Sequence, residues 1–398
     1  MTIHSASRLQ LATAFFGFVL IGVASGAWGV LLPSLSACYK VDQSVVGLLF
    51  FASATGYFLS AVSAGLLTAK LGQRWYLVAG VTTFIVCCSL IALKPPFALV
   101  LLIRLFQGMA TAIIEAGLNL FLAALPNSTA LLNYLHAFYG AGALVGPLIA
   151  STILALSLGW NSAFLAWALL ALPLLLGLLT LFRQQPSSAA HTEPARKGES
   201  GLLAALKIPL VWFATLFLLF YVGIEVSLGS WGYTFLLQNR HEAGLLASWI
   251  VSGYWLGLTL GRFILNRAAV WLRLGVPGMM YACMGGIVLG VLIIWLIPGE
   301  IASAVAFCLI GTSLGPIYPS TVALLPDIVP ARMVSSAMGF LIGLSILGVA
   351  LFPWLAGTLG QYMGIWTLLP YTLALTAIML VLWWMIQHRS TMRYRNAL

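Results

Sequence analysis

Charge is what this chain of 398 residues has least of: only 7% of its residues are Asp, Glu, Lys or Arg, and just eight are acidic. So few charges cannot cover the surface of a water-soluble domain of this length. The 62% apolar content points the same way, well above the roughly 45–50% of soluble domains. Also missing are a G-x-x-x-x-G-K-[ST] phosphate loop, an H-E-x-x-H zinc motif and any metal-ligand spacing among Cys38, Cys87, Cys88, Cys283 and Cys308. Nothing therefore points to ATP use, a metal, a cofactor or an enzyme, and the cysteines read as small core residues. No loop is long enough for a receptor or nucleotide-binding domain.

What is present is length without charge. Apolar segments of about 20 residues, enough to cross a hydrocarbon core of ~30 Å, recur along the chain, whose mean hydropathy is +1.06. Twelve spans are predicted, at 11–35, 44–68, 75–93, 97–124, 131–156, 161–182, 209–237, 243–265, 276–297, 301–325, 334–357 and 364–387. The fold class is thus an all-α membrane protein. The first span is too long for a signal-peptide core and is followed by eleven of its kind.

The net charge of +10 invites a nucleic-acid reading, but the distribution of the cations argues against one. Thirteen of the eighteen Lys and Arg residues fall in loops of one parity, and only Lys40, Lys94 and Arg240 in the others. By the positive-inside rule both termini are cytoplasmic, the location expected of a multi-pass plasma (inner) membrane protein in contact with lipid.

The one long hydrophilic segment, residues 183–207, reads as a cytoplasmic linker between an N-terminal six-helix bundle (1–182) and a C-terminal one (208–398). The halves share traces of one plan. Gly26-Ala-Trp28-Gly29 returns as Gly229-Ser-Trp231-Gly232, and Gly47-Leu-Leu with Gly56-Tyr57 returns as Gly244-Leu-Leu with Gly253-Tyr254. The offsets, 203 and 197 residues, differ by no more than loop lengths allow. Duplicated six-helix halves imply a pseudo-two-fold axis along the membrane normal and a solute site near mid-membrane.

Two acids stand inside apolar spans: Glu115 in span 4 and Glu225 in span 7. A carboxylate at the centre of a membrane helix costs roughly 2.5–3.5 kcal/mol on insertion scales, so such residues usually serve protons, ions or solutes. Gln107, Thr111, Glu115 and Asn119 recur every four residues along one drifting face of span 4. They read as a polar ladder lining a cavity, the alternative being groups that satisfy one another inside the bundle. Asn119 offers donor and acceptor groups suited to a hydroxylated solute. Desolvation favours the neutral form of a carboxyl group, which makes an intramembrane glutamate a usable proton carrier.

Arg104, on the same helix, is a candidate for proton coupling, for pairing with an acid, or for a structural clamp. Tyr221, one turn before Glu225, is a candidate solute contact. Trp28 and Trp231, from the repeated motif, are candidate platforms for a ring, or packing. His136 and Tyr139 in span 5 are further candidates, His136 as a proton shuttle. In span 10, Tyr318 follows Gly315-Pro316 and precedes Pro319, residues that interrupt helical hydrogen bonding and mark a gate with solute contacts.

These motifs resemble the major facilitator superfamily over essentially the whole chain. Residues 65–74 (GLLTAKLGQR) resemble its inter-helix loop signature, with Ala69 where the acid usually stands, and residues 104–108 (RLFQG) match its R-x-x-Q-G pattern. Within the superfamily, residues 115–121 (EAGLNLF), 132–140 (LNYLHAFYG) and 221–227 (YVGIEVS) are similar to the fucose and glucose proton symporter branch. The resemblance implies a role for Glu115 in sugar and proton handling. Gly29 stands near the place of the branch's span 1 acid. A competing signal is Gly142 to Pro147 (GALVGP) in span 5, which resembles a motif of drug–proton antiporters, or else simply permits close helix packing.

The expected function is secondary active transport, by a monomer, of a small polar solute, most simply a sugar or sugar-like molecule. The coupling ion is the proton, with sodium an open alternative. Proton-driven efflux of drugs or metabolites is the second reading, and a non-transporting membrane sensor the third.

Overall fold

A computed structural model describes residues 7–182, 199–330 and 333–395. Its described residues form helices, turns and irregular connections, with no strand among them. In chain order the helices are α1 (Arg8–Tyr39), α2 (Gln43–Ala92), α3 (Phe97–Ala123), α4 (Ser128–Ala155), α5 (Asn161–Leu181), α6 (Glu199–Leu206), α7 (Pro209–Gln238) and α8 (Gly244–Trp271). They continue as α9 (Val276–Leu296), α10 (Glu300–Leu314), α11 (Ile317–Ala323), α12 (Leu325–Ile328), α13 (Val334–Met363) and α14 (Leu368–Arg395).

Eleven helical segments are long and apolar enough to cross a membrane. One of them, α2, has 50 residues and so runs to about 75 Å, more than two crossings of a ~30 Å core. It is interrupted at Gly72, whose φ of 74° and ψ of 154° are not helical. A residue with a Cβ is strained at such a φ, so glycine marks where span 2 ends and span 3 begins. Counting both parts gives the twelve crossings expected from hydropathy.

Span 10 is the irregular one. Helix α10 stops at Leu314, Gly315-Pro316 form a turn, and α11 and α12 continue in short pieces. Proline supplies no backbone N–H, so the break falls where the sequence removes donors. Of the expected linker, residues 183–198 lie outside the described residues. Its last part is helical, as α6, and Trp212 of α7 donates from its indole N–H to the carbonyl of Leu206 at 2.8 Å.

The described residues group into two compact units, 7–182 with 243–252, and 199–242 with 253–330 and 333–395. In the first unit α1 lies against α4, and α2 against α3 and α5. Glycine sets the approach on both sides of the α1–α4 contact. A Cβ added to Gly22 would strike the Tyr139 carbonyl oxygen, one on Gly26 that of Ala143, one on Gly142 that of Val19, and one on Gly146 that of Val23. Gly56 and Gly108 meet the backbones of Leu105 and Ser53 in the same way between α2 and α3.

In the second unit α7 lies against α13 and α14, and α9 against α10 and α14. Here the α7–α13 contact is filled largely by rings, with a backbone approach at Gly348, where a Cβ would lie 2.7 Å from the Leu219 carbonyl oxygen. Gly223 faces the side chain of Phe352, and Gly357 faces the indole of Trp231. The α8–α10 contact is again backbone to backbone, through Gly257, Gly261, Gly311 and Gly315.

Candidate functional site

In the first unit, Glu115 sits half-buried near the middle of α3. Its carboxylate accepts a hydrogen bond from the Tyr57 hydroxyl of α2 at 3.1 Å. Asn119, one turn on, turns its amide back to the carbonyl of Glu115 at 2.9 Å, and the Thr111 hydroxyl bonds the Gln107 carbonyl at 3.0 Å. Glu115, Asn119 and Thr111 all remain partly exposed, so three rungs of the predicted ladder can meet a solute.

The fourth rung points elsewhere. Gln107 is only 1% exposed, accepts from an Arg104 N–H at 2.8 Å and donates its amide to Cys88 Sγ at 3.3 Å. The guanidinium of Arg104 lies 3.9 Å from the centre of the Trp28 ring, a cation–π contact worth ~2 kcal/mol when desolvated. Trp28 in turn meets Phe164 edge-on at 5.4 Å. Arg104, Gln107, Trp28 and Cys88 thus tie α1, the second part of α2 and α3 together. Eleven residues, about 16 Å of helix, separate Arg104 from Glu115.

His136 is exposed on α4, edge-on to the Phe18 ring at 5.5 Å, and Tyr139 is half-buried one turn further along. Below the first part of α2, Gln73 donates to the Gly117 carbonyl at 3.1 Å and Arg74 to the Leu179 carbonyl. The loop signature therefore fastens spans 2 and 3 to α3 and α5 through backbone carbonyls.

In the second unit, Glu225 is half-buried on α7, one turn after the fully buried Tyr221. The Tyr254 hydroxyl of α8 donates to the Glu225 backbone carbonyl at 2.9 Å. Arg262 stands half-buried two turns beyond Tyr254 on α8. The ring of Tyr318, just past the break in span 10, stands 6.2 Å from that of Tyr221. Trp231 is buried, and its indole N–H donates to the Pro353 carbonyl at 2.7 Å.

Two residues close to the glutamates are absent from the candidates read in the sequence: Tyr57 and Tyr254. A signal for them was there. Tyr57 and Tyr254 are matched positions of the Gly-Tyr repeat, and each reaches the glutamate of its own unit. Among the described residues no group of His, Cys, Asp and Glu is arranged to hold a metal ion.

Helices of membrane-crossing length, broken at Gly72 and Gly315-Pro316 and carrying half-buried acids and arginines, define a multi-pass transport protein. The description "Major Facilitator Superfamily" matches residues 14–299, more than half of the chain, and the chain belongs to that superfamily. It is a transporter and not an enzyme.

A relative from Saccharomyces cerevisiae, bypass of stop codon protein 6, is 23% identical over 393 residues, covering 90% of this chain and 78% of its own. Among solved structures, the nucleoside transporter NupG superposes with a TM-score of 0.76 at 17% identity, over 96% of this chain and 99% of its own. A D-xylose–proton symporter gives 0.75 at 14% identity, over 94% and 96%. At these identities the structural likeness shows the fold alone.

Proposed function

We propose that this chain is a proton-coupled secondary transporter of a small neutral polar solute of the sugar type, working by alternating access. On this reading it is a monomer in the inner membrane with both termini cytoplasmic, and its helices form an N-terminal bundle (1–182) and a C-terminal bundle (208–398) joined by the linker. The observation that carries it is the setting of Glu115. A carboxylate in mid-membrane has a neutral phenol as its hydrogen-bond partner, and among the described residues no ion pair to it is seen. Such an acid gains and loses a proton without breaking an ion pair, which is what coupling requires.

Support for a hydroxylated solute comes from the partly exposed Asn119 beside Glu115 and from the partly exposed Tyr318 and Glu225 in the second unit, with the buried Tyr221 behind them. The similarity of residues 115–121, 132–140 and 221–227 to the fucose and glucose symporter branch points the same way. So do the solutes named for the nucleoside and D-xylose transporters of like fold. The efflux reading rests on the span 5 glycines and on an interior rich in aromatic residues. Gly142 and Gly146 face the α1 backbone, so close packing accounts for them without an antiport role.

Glu115→Gln is the test. In proteoliposomes the variant should lose pH-gradient-driven accumulation of the solute while keeping solute exchange at equal concentration. Accumulation at the wild-type level would remove Glu115 from the coupling, and sodium-driven accumulation in place of pH-driven would change the ion.

A further inference from the structure

The Gly-Tyr repeat sets one tyrosine beside each glutamate, and the two hydroxyls end on different kinds of atom. In the first unit the Tyr57 hydroxyl donates to the Glu115 carboxylate at 3.1 Å. In the second, the Tyr254 hydroxyl donates to the Glu225 backbone carbonyl at 2.9 Å. A main-chain carbonyl carries no titrating proton, so only the first of these bonds changes strength directly when the acid ionises.

The α2–α3 contact fixes the phenol in place. Gly56 precedes Tyr57, and a Cβ on it would strike the Leu105 carbonyl oxygen, while one on Gly108 would strike that of Ser53. Backbone therefore rests on backbone immediately beside Tyr57, which holds its Cα close to α3. Asn119, the polar neighbour on α3, gives its amide to the Glu115 main chain at 2.9 Å and not to the carboxylate. The other titratable groups on the elements packed against α3 are placed as follows. From α2, the Tyr76 ring would lie 3.4 Å from a Cβ on Gly117, and Arg74 is bonded to the Leu179 carbonyl. Helix α4 carries Tyr134, Tyr139 and His136, the last edge-on to Phe18, and α1 carries Arg8 at its first residue and Cys38 and Tyr39 at its last two. Arg104 of α3 itself stands about 16 Å along the helix, against Trp28 and Gln107.

We propose that Tyr57 is the positioning residue of the coupling acid: its hydroxyl holds the charged carboxylate of Glu115 and so sets the pH range over which that acid takes up and releases its proton, while Tyr254 serves to fasten α8 to α7. This inference rests on the proton-coupling reading given above. A hydrogen bond to a carboxylate is about twice as strong as one between neutral groups, so the phenol favours the ionised form. The proton that moves is the one on Glu115, taken from water and returned to it. The phenol keeps its own. Without the hydroxyl, Glu115 should hold its proton to higher pH, and water reaching the half-buried acid replaces only part of the lost bond.

Infrared pH titration of the purified full-length protein reads this without a solute. The carboxyl C=O band that is present in wild type and missing from Glu115→Gln belongs to Glu115. Tyr57→Phe should raise the midpoint of that band by about 0.5–1 pH unit, the value of trading a charge-assisted bond for a weaker one. Placing 3-fluorotyrosine at Tyr57, a stronger donor of nearly the same size, should lower it, so a Phe variant that folds poorly leaves the question decidable. Tyr254→Phe, the matched loss of a hydroxyl in the second unit, should leave the midpoint where it is.

If the Glu115 band titrates and neither change at Tyr57 moves its midpoint, or if Tyr254→Phe moves it as far, the inference is overturned while proton coupling stands. If wild type and Glu115→Gln give the same bands at every pH, Glu115 does not titrate, and the coupling reading falls and takes this inference with it.

Discussion

Each unit carries one glutamate and one arginine inside its spans, and the two units handle them in opposite ways. In the first, both charges sit on α3, about three turns apart, and each is met by neutral groups: a tyrosine hydroxyl for Glu115, an indole face and an amide for Arg104. In the second, the charges come from different helices, Glu225 on α7 and Arg262 on α8, and the Tyr254 hydroxyl meets the Glu225 backbone carbonyl rather than its carboxylate. The matched tyrosines of the two units thus reach the same kind of residue at different atoms: Tyr57 at the Glu115 carboxylate, Tyr254 at the Glu225 main chain.

The same contrast runs through helix packing, and it yields the largest effect expected of a single substitution. Gly26→Val should cost about 3 kcal/mol or more, because the new side chain meets the Ala143 backbone, which cannot turn aside. Gly223→Ala in the second unit should cost less, about 2 kcal/mol: it meets the Phe352 side chain rather than backbone, but at Cγ and Cβ as well as the ring edge, so the whole side chain must shift instead of flipping. Unfolding in detergent measures both, and equal losses would erase the contrast.

A double-mutant cycle on Arg104→Lys and Trp28→Leu sharpens the electrostatic half of the comparison. A coupling of about 1 kcal/mol is expected, because lysine keeps the charge but loses the planar stack and the fork to Gln107. Zero coupling would mean that Arg104 is held by something other than the ring.

The smallest effect lies at the helix ends. Helix α2 opens on Asp42, which accepts from the Val45 N–H at 2.9 Å and the Ser44 hydroxyl at 2.6 Å. By contrast α10 opens on Gly299 without a side-chain cap, and buried Glu242 accepts from Ser303 in its first turn at 3.3 Å. The bonds to Asp42 hold its carboxyl below the usual aspartate value. Its stabilising effect is therefore fully present above the unfolded-state value of about 4 and is lost as the pH falls through the lower folded value. Asp42→Ala should cost about 1 kcal/mol at neutral pH and nothing at low pH, where wild type and variant should melt together.

Much of the fold was legible because the membrane leaves so few options. A length near 20 apolar residues marks a crossing, and the ends of α3, α5, α7 and α9 fall within a residue or so of the expected spans. The gap foreseen between spans 2 and 3 was the exception in form: helix runs on to Gly72 and resumes at once, so the break is one residue wide. Helix α6 was not legible, since eight residues without apolar periodicity look like the rest of a linker.

At the site, Glu115 and Glu225 announced themselves as charges in an apolar setting. Their partners did not. Tyrosine is ordinary in such a chain, and only the fold shows that Tyr57 and Tyr254 face the glutamates. Arg104 could be read as a partner for an acid or as a clamp, and the contact with Trp28, 76 positions away, is a matter of tertiary packing.

The four glycines between α1 and α4 carry one more consequence, a mechanical one. With carbonyl oxygens pressed against bare Cα atoms on both sides, the two helices have no side-chain cushion to compress. They form a stiff double beam that must tilt or stay as one piece. The α7–α13 seam is mixed: Phe352 and Trp231 meet glycines through their side chains, while a Cβ on Gly348 would lie 2.7 Å from the Leu219 carbonyl oxygen. Stiffness is therefore distributed unevenly, bare backbone running along the α1–α4 seam and touching the α7–α13 seam at Gly348.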